Sequence, residues 1–166
     1  PGRPWQELED LIPFVPAPAG DLLELYRPEL LRLESHVREQ GLIPEELHID
    51  ISPDLAEVPE SLTAIRASDA YAARPGHPAR GGTFSVYSRG QSSARFPGRT
   101  LEYRMTAAHE TWPGHHLLDV CRWSLPNVIR RSIERLVCYE GWACLAEELL
   151  ARSGYFSGAW DRFLLA

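Results

Sequence analysis

Apolar positions recur at helical spacing in two long stretches of the chain. From Asp21 onward, Leu22, Leu25, Leu30, Leu33 and Val37 fall on one side of a helix that Gly41 stops, and Pro28 is expected to kink or restart it. The second stretch opens at Pro126, suited to a first-turn position, and runs as one helix through IRRSIERLVCYEGWACLAEELLARSG to a glycine stop at Gly154. Between them, LEYRMTAAHET has the straight-chain and alanine content of a helix that starts behind Thr100 as N-cap and reaches about Trp112. Period-two alternation is rarer. In ELHIDISP, Ile49 and Ile51 alternate with polar neighbours until Pro53 ends the run, and GTFSVYS places Thr83, Phe84, Val86 and Tyr87 in a second strand. Residues 60–72 read as a weak helix, RPGHPARGG as a loop, and the segment after Tyr87 as a polar loop through Gly98. Pro4, Pro13, Pro16 and Pro18 fix their own φ and push their predecessors out of the helical region, so residues 1–20 read as an extended arm lying on a larger body. The pattern predicts a mainly α (α+β) fold, a single domain over residues 1–166.

Composition agrees with a globular domain and narrows the partners. The chain has 166 residues, 44% of them hydrophobic and 24% charged. A chain of this size buries roughly two-thirds of the surface it exposes when unfolded, enough to house a recessed site. Seventeen basic against twenty-three acidic residues give a net charge of -6 with scattered arginines, which argues against nucleic acid. No apolar run approaches the roughly 20 residues that span a bilayer, and PGRPWQELED lacks the features of a signal peptide. The chain nevertheless begins at Pro1, which leaves room for an upstream segment. Cys121, Cys138 and Cys144 are odd in number and lack Cys-x-x-Cys spacing, so neither a disulfide framework nor a thiolate zinc knuckle is expected. They read as small apolar side chains buried on helices, in a reducing, cytoplasmic compartment. The oligomeric state is not encoded in any of these features.

One segment carries candidate chemistry. HETWPGHH contains a His-Glu pair followed by His115 and His116. The familiar H-E-x-x-H zinc helix sets its histidines one turn apart, whereas His109 and His115 are six residues apart. On an unbroken helix that spacing means about 9 Å of rise, too far for two nitrogens to meet one zinc. Pro113 cannot donate to the carbonyl of His109 and its ring clashes there, while Gly114 tolerates backbone angles closed to other residues. The helix is therefore expected to bend or bulge between the two histidines, with His116 as the alternative ligand. Read blandly, the segment is a helix that ends at Trp112 and a second that starts at Pro113, carrying surface histidines.

The second long helix supplies the third group. Ile133, Val137, Glu140, Cys144 and Glu147 recur at helical spacing, so Glu140 and Glu147 share a face with residues expected to be buried. A buried carboxylate without a partner costs several kcal/mol, and a cation is the usual remedy. Gly141 in mid-helix, beside Trp142, suggests close packing at that point. Two histidines and Glu140 form the ligand set of a catalytic zinc with one open position. Glu110, beside the first ligand, would accept a proton from water attacking a carbonyl, and Glu147 would orient a ligand imidazole.

These residues resemble the DUF885 family of bacterial proteins, grouped with the gluzincin-type metallopeptidases. The marks of that family are a His-Glu-x-x-Pro-Gly-His-His-like motif and a downstream Glu-Gly-Trp-Ala. Both stand here, as HETWPGHH at 109–116 and EGWA at 140–143. The resemblance is clear from about Thr83 to Glu148 and fainter from His48 to Pro75, which makes residues 83–151 the motif-bearing core. It implies a helical, metallopeptidase-like core with a strand lining the cleft, zinc on His109, His115 and Glu140, and Glu110 as general base. A peptide or amide substrate would pair with the edge strand near Phe84 to Tyr87. The chain departs from the family at Leu118, where Gln is usual, and at Leu145, where Tyr is usual. Family members are also several times longer, so the chain reads as a fragment or a reduced member.

Further candidates are less specific. Tyr87, Tyr103, Tyr139 and His116 are candidate hydrogen-bond donors to an oxyanion. Arg99 and Arg104 are candidate clamps for a substrate carboxylate, although the solvated surface is the commoner place for arginine. G-x-S-x-G, G-x-G-x-x-G and P-loop motifs are missing from the sequence, which removes covalent serine hydrolysis and nucleotide binding. Three readings follow: a zinc metallopeptidase-like hydrolase, a catalytically inactive remnant that binds a peptide or partner, and an oxidative iron site of two histidines and a carboxylate.

Overall fold

The structure, a computed structural model, describes residues 11–43, 49, 51–63, 68–87, 98–132 and 135–165. Helix α1, Leu22–Glu39, starts where the Asp21 carboxylate accepts the Leu23 N–H at 2.8 Å. It runs on through Pro28, and Gly41 ends it at φ 62°, the left-handed position that glycine adopts without a Cβ penalty. Its buried stripe includes Leu22, Leu25, Tyr26, Leu30, Leu33 and Val37, as the spacing predicts.

Strand β1, Phe14–Pro16, pairs antiparallel with β5, Gly98–Thr100. Part of the proline-rich arm is thus extended, as expected, while residues 1–10 of it lie outside the described residues. A second sheet has the order β2-β4-β3, formed by β2, Asp54–Glu57, β3, Ala70–Ala73, and β4, Gly82–Val86. β4 pairs parallel with β2 and antiparallel with β3.

Three expectations change here. The strand predicted around Ile49 and Ile51 forms instead after Pro53, because a proline lacks the donor a ladder needs and the partner Thr83–Val86 sets the register. His48, also in that run, lies outside the described residues. The helix predicted over 60–72 is a single 3-10 turn, Glu60–Leu62, followed by β3, since pairing with β4 overrides local propensity; residues 64–67 lie outside the described set. Most consequential, β4 is the central strand and β3 the edge, so the edge strand expected at Phe84 to Tyr87 lies one position away.

Phe84 and Val86 are fully buried, and Tyr26 meets Phe84 and Tyr103 edge-on, each at 5.4 Å between ring centroids. Helix α2, Tyr103–Glu110, packs against α1. Thr100 belongs to β5 and donates to Glu102 at 3.0 Å, so it does not cap α2. Helices α3, His115–Ser124, α4, Val128–Ser132, α5, Leu136–Arg152, and α6, Ala159–Leu164, complete the chain. The long helix predicted from Pro126 divides into α4 and α5, with Arg135 extended at φ -116° and ψ 121°; its stop at Gly154, φ 86°, is as predicted.

The carboxylate of Glu29, fully buried on α1, ties the helices together. It accepts from Arg104 at 3.1 Å, from the Tyr155 hydroxyl at 2.8 Å and from Arg32, while Arg104 also reaches Asp161 at 3.0 Å. Arg104 is therefore an internal strut between α1, α2 and α6. Among the described residues, no helix is long and apolar enough to cross a membrane.

Candidate metal centre

The segment between α2 and α3 is a complete break in the helix. Thr111 leaves helical angles at φ -122° and ψ -91°, the Trp112–Pro113 peptide is cis, and Gly114 turns the chain at φ -73° and ψ -133°. Gly114 N–H donates to the Ala108 carbonyl at 3.2 Å, so the chain folds back onto the end of α2. A Cβ at Gly114 would sit 1.7 Å from the His109 carbonyl oxygen, which makes glycine a steric necessity. Trp142 on α5 seals the turn: its indole N–H donates to the Pro113 carbonyl at 2.9 Å and the Gly114 carbonyl at 3.2 Å.

The break brings His109, at the end of α2, and His115, the first residue of α3, to 4.8 Å between ring centroids. Glu140 reaches over from α5. Its Oε2 lies 3.3 Å from His109 Nε2 and 3.4 Å from His115 Nε2. Liganding atoms of His109, His115 and Glu140 all fall within 4.8 Å of one another, a set suited to a metal ion. Ligand bonds of roughly 2.0 to 2.3 Å to a tetrahedral ion put its donors about 3.3 to 3.8 Å apart, a separation that Glu140 Oε2 already keeps from both imidazole nitrogens. The bend and the ligand trio read from the sequence thus come together.

Each ring is braced on its far side. His109 Nδ1 meets Glu147 Oε1 at 2.7 Å, which directs Nε2 toward Glu140. Tyr139 stacks on His115 at 4.0 Å with rings 10° apart, and its hydroxyl donates to the buried Asp119 at 3.2 Å. Arg122 donates to the other Asp119 oxygen at 2.7 Å. Tyr139 was a candidate oxyanion donor by residue type; its place is under a histidine ring. Asp119 escaped the sequence reading altogether, although its one-turn spacing from His115 was a usable signal.

Glu110 Oε2 accepts the backbone N–H of Tyr71 on β3 at 2.7 Å. Burial raises the Glu110 carboxyl above its ordinary value, against the lowering effects of the Tyr71 N–H and His109, and Glu140 and Asp69 push it up further. The hydrogen bond to Glu147 raises His109 despite the opposing effect of burial. A cleft of about 460 Å³ joins these groups, lined among others by Asp69, Glu102, Thr106, His109, Glu110 and Glu147.

Several candidates lie elsewhere. His116 is fully buried, its Nε2 donates to the Ile51 carbonyl at 2.6 Å, and burial pushes it down to about 4. It faces the sheet, between Tyr71 and Trp112, and belongs to neither cluster of metal-liganding groups among the described residues. Tyr103 is buried against Tyr26, and Tyr87 uses its backbone to bind Asp69 and Arg99; neither lines the cleft that holds Glu110. Arg99 is only 2% exposed and pairs with Asp69 at 3.4 Å, so the surface arginine expected from composition is an internal one.

The face of α5 is also corrected. Val137 is 85% exposed, Cys144 is exposed, and the Glu140 side chain is 48% exposed; the buried side is Ala143, Ala146 and Leu150, and Ile133 lies outside the described residues. α5 packs against α2, and the face it turns inward carries these residues. Glu140 is therefore matched to the histidines without being buried. Gly141 has open space around it, so the close approach predicted there occurs at Gly114. Cys138 is exposed and Cys121 half-buried, so only the latter resembles the buried apolar thiol expected of all three.

No curated protein matches the chain. A family model does, over residues 13–165, so the chain belongs to the DUF885 family, described as bacterial proteins of unknown function.

Proposed function

We propose that the protein is a zinc-dependent hydrolase, a metallopeptidase-like enzyme that cleaves a peptide or amide bond, with His109, His115 and Glu140 as the metal ligands. The supporting observation is the meeting of His109 Nε2 and His115 Nε2 at one Glu140 oxygen, 3.3 and 3.4 Å away, across a helix break. Bound zinc would polarise a carbonyl and acidify water at this position. Glu110 would take the proton from the attacking water, its carboxyl raised toward the range suited to a general base. Glu147 would hold the His109 ring, and Tyr139 with Asp119 the His115 ring. β3 is an edge strand whose Tyr71 N–H turns outward to Glu110, and it would offer an extended substrate main chain a strand to pair with.

The test is metal content followed by hydrolysis of a peptide library. One equivalent of zinc in the parent protein, lost in His115→Ala, together with turnover abolished in Glu110→Gln, supports the reading. Full activity in Glu110→Gln, or a folded protein that binds no zinc, refutes it. The exposure of Glu140 favours one second reading, a binding protein that retains the ion without turnover; it predicts bound zinc and peptide affinity unaffected by Glu110→Gln.

A further inference from the structure

A second set of potential ligands adjoins the first and contains sulfur. Liganding atoms of His109, Cys144 and Glu147 lie within 4.8 Å of one another. Cys144 and Glu147 stand one turn apart on α5, a spacing that turns two side chains toward the same side of a helix. The thiol is exposed, and the composition of the set, one thiol, one imidazole and one carboxylate, leaves a fourth position for solvent. Of these groups only His109 belongs to the trio with His115 and Glu140, and Glu147 touches that trio only through His109 Nδ1.

From this arrangement we infer a second divalent-cation site on His109, Cys144 and Glu147, selective for thiophilic ions such as zinc or cadmium. The two sites use opposite sides of one imidazole: Nε2 faces Glu140, and Nδ1 faces Glu147 at 2.7 Å. An ion entering the second site displaces the proton of Cys144 and the one shared between Nδ1 and Glu147, both released to solvent. It fills after the first site for that reason. Thiolate favours zinc and cadmium over magnesium or calcium, which prefer oxygen ligands. Occupation also takes Glu147 away from the hydrogen bond that orients the His109 ring. On the zinc-hydrolase reading, on which this consequence alone rests, excess zinc inhibits.

Cobalt(II) titration of the metal-free full chain reads the two sites separately, because thiolate ligation gives a near-ultraviolet charge-transfer band and nitrogen–oxygen ligation does not. The expected result is two equivalents, with the charge-transfer band growing during the second. Cys144→Ser abolishes the band while keeping the first equivalent, and Cys138→Ser, which alters another exposed thiol on α5, changes neither. His115→Ala removes the first equivalent and retains the band. The inference is overturned if excess cobalt produces no band, if the band survives Cys144→Ser, or if Cys138→Ser removes it. A single equivalent without the band would leave the zinc-hydrolase reading standing. A band without an equivalent that depends on His115 would refute that reading and leave the second site intact.

Discussion

Replacing Gly114 by alanine tests whether the geometry of the break creates the centre. The added Cβ would stand 1.7 Å from the His109 carbonyl oxygen, 2.4 Å from its carbonyl carbon and 2.6 Å from the Ala108 carbonyl oxygen, where real Cβ contacts stay beyond 3.0 Å. All three obstacles are backbone, so no side chain can rotate away. The end of α2 and the start of α3 must separate by more than an ångström, which drives apart the two rings that meet at Glu140. Overpacking of this kind costs about 3 kcal/mol. In a domain of this size that lowers Tm by roughly 6 to 12 °C. The matched control is Gly141→Ala on α5, where nothing lies within 4 Å of the new methyl. There the helix gains about 1 kcal/mol from the better propensity of alanine, and Tm rises by roughly 2 to 4 °C. Chemical denaturation and zinc stoichiometry on both variants decide the matter. A Gly114→Ala protein as stable as the parent and still loaded with zinc would refute the argument, as would a Gly141→Ala protein destabilised to a similar extent.

Three other outcomes follow from the same geometry. Trp142→Phe keeps an aromatic side chain but removes the N–H donor to the Pro113 carbonyl, while the Gly114 carbonyl retains the Leu118 N–H, and urea denaturation should register a loss of about 1 to 3 kcal/mol. Glu29→Gln removes the charge that Arg32 and Arg104 share at a fully buried position, so stability should fall by about 3 kcal/mol; a change within experimental error would show that the cluster is not a strut. Burial raises the Cys121 thiol, whereas Cys138 and Cys144 are exposed, so alkylation of the metal-free protein followed by peptide mapping should label the latter two first; early labelling at Cys121 would contradict the burial pattern.

What the sequence disclosed, and what it hid, divides along a physical line. Pro113 and Gly114 carry backbone constraints that hold in any context, so a distortion between His109 and His115 was readable from spacing alone. Gly41 and Gly154 ended their helices for the same reason. Burial was less legible. Apolar spacing puts Glu140 on the same face as Val137 and Cys144, yet the face that is buried carries Ala143, Ala146 and Leu150. Likewise, β3 takes its conformation from pairing with β4 across a connecting loop, a partnership that local propensity cannot register.

Trp142 shows why the two motifs belong together. The helix break exposes the Pro113 carbonyl, and such a group must find a donor if it is not to cost stability, whereas the Gly114 carbonyl also accepts the Leu118 N–H of α3 at 3.0 Å. The donor comes from α5, two residues beyond Glu140. The same docking of α5 that satisfies the break therefore brings Glu140 to the histidines the break has placed together. Neither event has its full effect alone: an undocked α5 takes the Trp142 donor from the Pro113 carbonyl, and an unbroken helix holds the histidines about 9 Å apart along its axis. A cluster built this way is specified by tertiary contact between two segments, and on the proposed metal-binding reading its stability and metal affinity change together when that contact is altered.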